Sequence, residues 1–132
     1  MTDLSLLSWN ITTRCNLKCA HCYIDASTAA SHDELSTAEG FALIDDLAAL
    51  APGAMLVLSG GEPMLRSDVF DLAGYAALRG LMVVVGTNGI LLDDARAREL
   101  ARVGVAGVGL SIDSLDAARH DAFRGIGGAW AR

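Results

Sequence analysis

Residues 55–89, MLVLSGGEPMLRSDVFDLAGYAALRGLMVVVGTNG, determine which kind of fold this sequence adopts. The stretch opens and closes with short runs rich in Val and Leu, Met55 to Leu58 and Leu81 to Val85. Such runs, with little polar alternation, predict strands that are buried on both faces of a parallel sheet. Between them, Ser67 is placed to cap a helix and Gly80 to end it. Strand, helix and strand in this order form the unit from which parallel sheets are built.

The same unit repeats on both sides of this stretch. Two further apolar runs, Leu4 to Ile11 and Val105 to Ile112, predict one strand before it and one after it. Three more helices are predicted from their capping residues: Ser36, which fits a capping box with Glu39; Asp93, for a helix ending near Gly104; and Ser114, for a helix running to about Phe123. This order predicts an α/β fold with about four βα units, which is half of an eight-unit barrel or part of a smaller one. Because the sequence stops at Arg132, where a further unit should begin, we expect a fragment or the first portion of a longer protein.

The composition narrows the class of protein. The chain has 132 residues, 52% of them hydrophobic, and a mean hydropathy of +0.38, which excludes a disordered chain and suits one domain or part of one. A net charge of −6 argues against a nucleic-acid partner, because such proteins present basic surfaces. The apolar runs are too short for a membrane span, and Met1 to Asn10 lacks the basic segment of a secretory signal. We therefore expect a cytoplasmic protein, without nucleic-acid or membrane partners, whose thiols stay reduced.

Polar clusters follow the predicted strands at equivalent places. Ser59 to Pro63 follows the second strand, Gly86 to Gly89 follows the third, Ser111 to Asp113 ends the fourth, and the cysteines follow the first. Each cluster taken alone is also explained as a turn. Together they fall at the carboxyl edge of a parallel sheet, where barrel and open α/β enzymes have their active sites. The pattern therefore predicts a site at this edge.

All three cysteines of the chain, Cys15, Cys19 and Cys22, lie within the stretch TRCNLKCAHCY. A disulfide framework would leave one of them over. A structural zinc site needs four ligands, with His21 as the fourth, although a short loop presents such closely spaced ligands poorly to one tetrahedral ion. An iron–sulfur cube on three cysteines would leave one iron without a protein ligand, and an open position is typical of catalytic metal centres. Zinc and an iron–sulfur cube both remain alternatives at this point.

The spacing Cys15-x3-Cys19-x2-Cys22, followed by Gly60-Gly61-Glu62-Pro63, resembles the radical S-adenosylmethionine (radical SAM) superfamily. The resemblance implies a partial barrel of the radical SAM type, with residues 1–132 as the N-terminal part of the core domain and no C-terminal auxiliary-cluster domain. It implies a [4Fe–4S] cluster on the three cysteines, with SAM chelating the fourth iron. In such enzymes the cluster cleaves SAM to a 5′-deoxyadenosyl radical, which abstracts hydrogen from the substrate.

The resemblance also implies which other residues bind SAM. Gly60 and Gly61 would let the backbone approach the cofactor closely, and Glu62 would offer an anion to its ammonium group. The resemblance implies that Ser111 and Asp113 contact the ribose or methionyl end of SAM. It implies that Thr87 and Asn88 shape the cofactor pocket, and that His21 and Tyr23 lie near the adenine. His21 is equally explained as a plain loop residue, and Arg124 is interpreted as a cation favoured by a helix C-terminus.

The flanking sequence bears on the substrate. The stretches SWNITTRCNLKCAHCYIDAS, GGEPMLRSDVF and SIDSLDAARHDAFRG are most similar to radical SAM proteins that modify tetrapyrrole side chains in the pathways to haem d1 and haem. Peptide-modifying maturases share nearly as much, and another small molecule remains a third alternative. The resemblance implies an electron donor of the flavodoxin or ferredoxin type. An iron–sulfur module that only transfers electrons is the non-enzymatic alternative, and it would need four protein ligands.

Overall fold

The computed structural model describes residues 4–29 and 31–132. Part of the Met1 to Asn10 stretch, on which the predicted lack of a secretory signal depends, lies outside these residues. The elements, in chain order, are β1 (Leu6–Thr12), α1 (Thr37–Leu50), β2 (Met55–Gly60), the short 3-10 helix η1 (Pro63–Leu65), α2 (Val69–Leu78), β3 (Met82–Thr87), α3 (Asp94–Arg102), β4 (Gly107–Leu110) and α4 (Ala117–Arg124). The predicted alternation of strands and helices is confirmed.

The four strands form one parallel sheet in the order β1-β2-β3-β4. Strand β1 pairs with β2 from Leu6 opposite Met55, and the register shifts between Asn10 and Thr12. Strand β4 pairs with β3 from Gly107 opposite Val84 to Leu110 opposite Thr87. Consecutive strands are therefore neighbours, and every strand ends at the same edge of the sheet, as four βα units of a partial barrel require.

The core lies between the sheet and its helices. Leu56, Leu58, Val83 and Val85 are fully buried on this side of the sheet, together with Ile44 of α1. The opposite side is less covered, since Met82 is 46% exposed. The prediction of strands buried on both faces is therefore wrong for the described residues. A sheet face becomes fully buried only when another layer or the side chains of further strands cover it, and here helices cover one face.

The helix starts confirm two of the predicted caps. Ser36 accepts a hydrogen bond from the Glu39 amide at 3.3 Å, while Glu39 accepts one from the Ser36 amide at 2.8 Å, which completes a capping box on α1. Asp93 caps α3 by accepting a hydrogen bond from the Arg96 amide at 2.8 Å. Local sequence was sufficient here because the donor and the acceptor lie within three residues of one another.

The other boundaries differ from prediction. Ser67 does not cap α2, because the helix begins one residue later, after Asp68, whose carboxylate binds other side chains instead. Ser114 does not cap α4 either; Asp116 does, by accepting from the Arg119 amide at 2.9 Å. Strand β4 is shorter than the predicted Val105 to Ile112, since it pairs only with β3 and that strand ends at Thr87.

Each helix in the described part of the chain lacks the combination of length and hydrophobicity that a membrane-spanning segment needs.

Candidate functional site

A cavity of about 440 Å³ lies at the carboxyl edge of the sheet. The predicted site residues that line it are Cys15, Cys19, His21, Cys22, Tyr23, Gly60, Gly61, Thr87, Asn88, Ser111 and Asp113. These are all of the predicted residues except Glu62. Four strand ends contribute to a single cavity because the strands are parallel and consecutive, so the structure brings together residues up to a hundred positions apart.

The cysteine loop, residues 13–36, connects β1 to α1 and supplies the three thiols. Its first part is held against its middle, since the Cys15 amide donates to the Ser27 carbonyl at 2.8 Å and the Ser27 amide donates to the Thr13 carbonyl at 3.1 Å. Cys15 is buried, Cys19 is half-buried and Cys22 is exposed, and all three are free thiols. Burial raises the pKa of the Cys15 thiol, so loading a metal on this sulfur at neutral pH would release a proton.

The arrangement of the thiols bears on which metal would fit. In the described part of the chain, no three His, Cys, Asp or Glu side chains converge closely enough to hold one metal ion. A zinc ion needs its sulfur ligands about 2.3 Å from a single point. An iron–sulfur cube instead takes one thiolate on each iron, so its ligands are spread around it. Cys15, Cys19 and Cys22 line the same cavity as His21, so the residues of both kinds of site lie together.

Gly60 and Gly61 pack against the protein's own backbone. Gly60 has a φ of +134°, and a Cβ added to it would overlap the Thr12 carbonyl oxygen; one added to Gly61 would overlap the Arg14 carbonyl oxygen. The same approach brings the Gly61 amide within 2.8 Å of the Thr12 carbonyl. Both residues join the start of the cysteine loop to the end of β2. Their closeness to a cofactor stays a prediction, although both line the cavity.

Glu62 is the predicted site residue that the structure places outside the cavity lining. It is fully buried, and its Oε1 accepts hydrogen bonds from the Thr87 hydroxyl at 2.7 Å and from the Met64 amide at 3.1 Å. Its Oε2 accepts from the Asn88 amide at 2.8 Å. The carboxylate therefore ties the end of β2 to the end of β3. A carboxylate accepts about four hydrogen bonds, and three are already made here. At most one acceptor position of Glu62 is therefore free to contact an ammonium group.

Replacing Glu62 with Gln should destabilise the protein by about 1–3 kcal/mol, because the amide group brings donors to a place where all three partners already donate. The change keeps the side-chain shape, so the loss would report on the hydrogen bonds and on the charge of the carboxylate rather than on packing. Chemical denaturation of both proteins measures it. Glu99→Gln is the matched control, since among the described residues the Glu99 side chain pairs with Arg102 alone, on the surface of α3, and such an exposed pair contributes little to stability. Equal stability of the two variants would contradict the prediction.

Arg124 belongs to the site, which the sequence interpretation missed. It lies in the last turn of α4, as a helix C-terminal cation does, yet its side chain is buried and lines the cavity. Its Nη2 donates to the Ser111 carbonyl at 3.0 Å and its Nη1 lies 3.7 Å from Cys19 Sγ. Its Nε is 2.7 Å from Asp113 Oδ2 but is not directed at it, so this is an ion pair without a hydrogen bond. The feature of the sequence that indicated this place was the position of Arg124 at the end of the helix that follows Ser111 to Asp113.

Two histidines adjoin this ion pair. The buried His120 accepts a hydrogen bond from the Asp113 amide at its Nδ1, at 3.2 Å. His21 is more exposed; its Nε2 lies 3.8 Å from Asp113 Oδ1 and its ring meets the edge of Phe123 at 5.5 Å. Tyr23 is 81% exposed. Asp113 is thus surrounded by nitrogen-bearing side chains, and the wall of the cavity nearest Cys19 carries both charges.

Asn88 links the third strand end to the cysteine loop. Its Nδ2 donates to Asn16 Oδ1 at 2.8 Å and lies 3.9 Å from Cys15 Sγ. A second cavity, of about 300 Å³, shares Asn88, Leu110, Ser111 and Ile112 with the first and is otherwise lined mainly by apolar residues. A polar, sulfur-bearing cavity therefore opens beside an apolar one.

The profile of the Radical SAM superfamily matches residues 9–132 of this chain. The chain belongs to the radical SAM superfamily. A protein of Methanosarcina barkeri named Fe-coproporphyrin III synthase is 48% identical over 122 residues, which are 92% of this chain and 30% of that protein. The pre-heme d1 synthase of Dinoroseobacter shibae is 40% identical over 98% of this chain and 31% of its own length. The mycofactocin maturase MftC of Mycolicibacterium smegmatis is 36% identical over 92% of this chain and 30% of its own length.

The radical SAM fold is also found among solved structures. Streptococcus suis SuiB, solved with its precursor peptide SuiA, superposes with a TM-score of 0.76 at 18% identity, over 99% of this chain and 29% of SuiB. At this identity the likeness concerns the fold alone. The radical SAM chain described here spans about a third of the length of the curated relatives it matches.

Proposed function

We propose that this radical SAM chain forms the cofactor-binding part of an enzyme that abstracts hydrogen from a tetrapyrrole side chain. The observation that carries the proposal is the single cavity into which Cys15, Cys19 and Cys22 open beside the Gly60-Gly61 turn and the ends of β3 and β4. The membership of the superfamily supports SAM and a [4Fe–4S] cluster as the cofactors. When bound, these cofactors supply the radical that starts the reaction.

The residues of the chain have separable tasks in this proposal. Cys15, Cys19 and Cys22 hold the cluster as thiolates. Burial raises the pKa of Cys15 and so favours its protonated thiol before loading, and binding of iron then displaces that proton. Ser111 and Asp113 line the remaining cavity and contact the ribose or methionyl end of SAM, while Thr87 and Asn88 shape the pocket. His21 and Tyr23 form its more exposed rim, where the adenine would lie.

Arg124 and Asp113 set the charge of the cavity wall. Their ion pair lies beside Cys19, with the guanidinium 3.7 Å from the sulfur, so a positive charge faces a ligand that is anionic when it binds iron. Low exposure of Arg124, at 7%, limits screening of that charge by water. The wall thus presents a positive charge to the sulfur that we propose binds the cluster.

The relatives support a tetrapyrrole as the substrate. The proteins named Fe-coproporphyrin III synthase and pre-heme d1 synthase share 48% and 40% of their aligned residues with this chain. The apolar cavity beside the cofactor cavity offers a surface for a hydrophobic part of such a molecule. A peptide is the second candidate, favoured by the 36% identity to the maturase MftC. The compound that stimulates SAM cleavage distinguishes the two.

The proposal includes a reductant, because cleavage of SAM by the cluster consumes one electron. A flavodoxin or ferredoxin is the donor class that we propose. The three free cysteines fit a cytoplasmic setting, where thiols remain reduced. The non-enzymatic alternative, an iron–sulfur module that only transfers electrons, predicts four protein ligands and needs no Gly60-Gly61-Glu62 turn beside the three cysteines.

We expect the EPR spectrum of the reduced cluster to change when SAM is added to the anaerobically reconstituted full-length protein. The reason is that the iron without a cysteine ligand gains the amine and carboxylate of SAM. The control is 5′-deoxyadenosine, which lacks both groups and should leave the spectrum as it was. A spectrum that is the same with and without SAM would favour the electron carrier and contradict the proposed function.

A further inference from the structure

A polar network outside the cavity joins the two ends of the cysteine loop. At its centre is Arg66, which lies between η1 and α2 and has a side chain only 9% exposed. Arg66 Nη1 donates to the Ile11 carbonyl at 2.7 Å, just before the loop begins. Arg66 Nη2 donates to the Leu35 carbonyl at 2.8 Å, where the loop ends. One guanidinium thus contacts the chain on both sides of the three cysteines.

Two carboxylate and two hydroxyl side chains complete the network. Asp68 binds Arg66 through two oxygens, at 2.6 Å from Nε and 2.9 Å from Nη2, and accepts from the Thr37 hydroxyl at 2.6 Å. Glu34, near the end of the loop, accepts from the Thr12 hydroxyl at 2.7 Å and from the Thr13 amide at 2.9 Å. Both ends of the loop are therefore fastened to each other as well as to Arg66.

The charges in this network are stable at neutral pH. Burial opposes the ionisation of Glu34, but the hydrogen bonds from Thr12 and Thr13 outweigh it and hold the pKa of Glu34 below its usual value. The hydrogen bonds from Arg66 hold the pKa of Asp68 below its usual value as well. The network thus stays ionised under the conditions in which a cluster would be loaded.

The contacts of Arg66 need the shape of a guanidinium. Arg presents five donors in a rigid planar fork, whereas Lys has a compact ammonium on a flexible chain. Asp68 takes one edge of the fork in two parallel hydrogen bonds, while Nη1 donates to the Ile11 carbonyl in β1 and Nη2 to the Leu35 carbonyl in the loop. A lysine at this position would keep the charge but could not reach Asp68, Ile11 and Leu35 together.

We propose that Arg66, with Asp68 and Glu34, is a positioning residue for the cluster: it holds both ends of the cysteine loop at the sheet edge so that the three thiols stay around the cavity. This role rests on the proposed function, because it supposes that the loop binds a cluster. The proposal gives the segment that follows Gly60-Gly61-Glu62-Pro63 a role of its own. Through Arg66, this segment holds the cysteine loop beside the end of β2.

The test compares Arg66→Lys with Arg102→Lys in the full-length protein. Arg102 is the matched control, since it also makes a two-oxygen pair with a carboxylate, that of Glu99, but contacts no part of the loop. Hydrogen–deuterium exchange of the cluster-free proteins is measured first. We expect amide exchange within residues 13–36 to rise on the order of tenfold in Arg66→Lys and to be unchanged in Arg102→Lys, because charged hydrogen bonds are lost only from the former at the loop.

Iron retention after anaerobic reconstitution is measured second, with a variant in which all three cysteines are alanine as the baseline. We expect Arg66→Lys to lose iron to a chelator faster than the wild-type protein, and Arg102→Lys to behave as wild type. If Arg66→Lys fails to fold, Glu34→Ala serves in its place, because it loosens the same loop ends from a less buried position.

Three outcomes would overturn the proposal, and they are distinguishable. Exchange that rises equally throughout the chain would mean a general structural role for Arg66. Unchanged loop exchange and unchanged iron retention would mean that the loop holds its shape without Arg66. If the wild-type protein retains no more iron than the three-alanine baseline, the proposed function itself is contradicted. This holds even if hydrogen–deuterium exchange differs between the cluster-free variants.

Discussion

Replacing Cys19 with Ala is expected to abolish retention of the [4Fe–4S] cluster by the cysteine loop. The cube would be held by one thiolate on each of three irons, so a variant with two thiolates leaves half of the cluster without protein ligands. Cys19 is the central cysteine of the three and adjoins the Arg124 guanidinium, so its loss also removes the sulfur on the charged side of the cavity. Iron and sulfide analysis after anaerobic reconstitution, together with the visible absorption spectrum, measures the result.

Thr28→Ala is the matched control for this experiment. Thr28 lies on the same loop and is exposed, and it is outside the lining of the cofactor cavity. We expect this variant to hold as much iron as the wild-type protein. Full iron content in Cys19→Ala would contradict both the ligand assignment and the proposed function, whereas equal losses in the two variants would indicate that the loop tolerates no substitution.

Replacing Gly61 with Ala is expected to destabilise the folded protein by about 3 kcal/mol, at the upper end of what overpacking costs. The added methyl group would overlap the Arg14 carbonyl oxygen, and backbone is less able to yield than a flexible side chain. Relief of the overlap would also stretch two hydrogen bonds, from the Gly61 amide to Thr12 at 2.8 Å and from the Glu62 amide to Arg14 at 2.7 Å. Thermal unfolding and denaturant titration measure the loss.

Gly127→Ala makes the same chemical change where nothing opposes it. No heavy atom lies within 4 Å of a Cβ added at Gly127, and its φ is not in the left-handed region. Its stability should match that of the wild-type protein. If Gly61→Ala unfolds at the same temperature as Gly127→Ala, the close packing of the two strand ends is not a source of stability. Loss of iron binding without loss of stability would instead favour the predicted approach of Gly61 to the cofactor.

Local patterns predicted the regular parts of the fold well. The apolar runs identified all four strands, and the caps at Ser36 and Asp93 were correct because each is decided by groups within one helical turn. The caps at Ser67 and Ser114 were wrong for a physical reason. A serine is a good cap in isolation, but α2 starts after Asp68, whose carboxylate is bound by its near neighbour Arg66 and by the distant Thr37 of α1.

The sequence by itself determined which reactive groups this chain carries and at which edge of the sheet they lie. Three cysteines at a fixed spacing and a Gly-Gly-Glu-Pro turn specify reactive groups, and the alternation of strands and helices places them at one edge of a parallel sheet. Those features depend on residue type and on distances along the chain, which can be read without coordinates.

Only the tertiary structure decided which polar groups face the cavity and which form hydrogen bonds with other buried groups of the protein. The contact of Glu62 with SAM stays a prediction, but the structure shows that Glu62 is buried and accepts hydrogen bonds from Thr87, Met64 and Asn88. Arg124 was interpreted as a helix-end cation, yet it reaches Ser111, Asp113 and Cys19. The direction of a buried charged side chain depends on which partners lie within about 3 Å of it, and those partners come from other strands and helices.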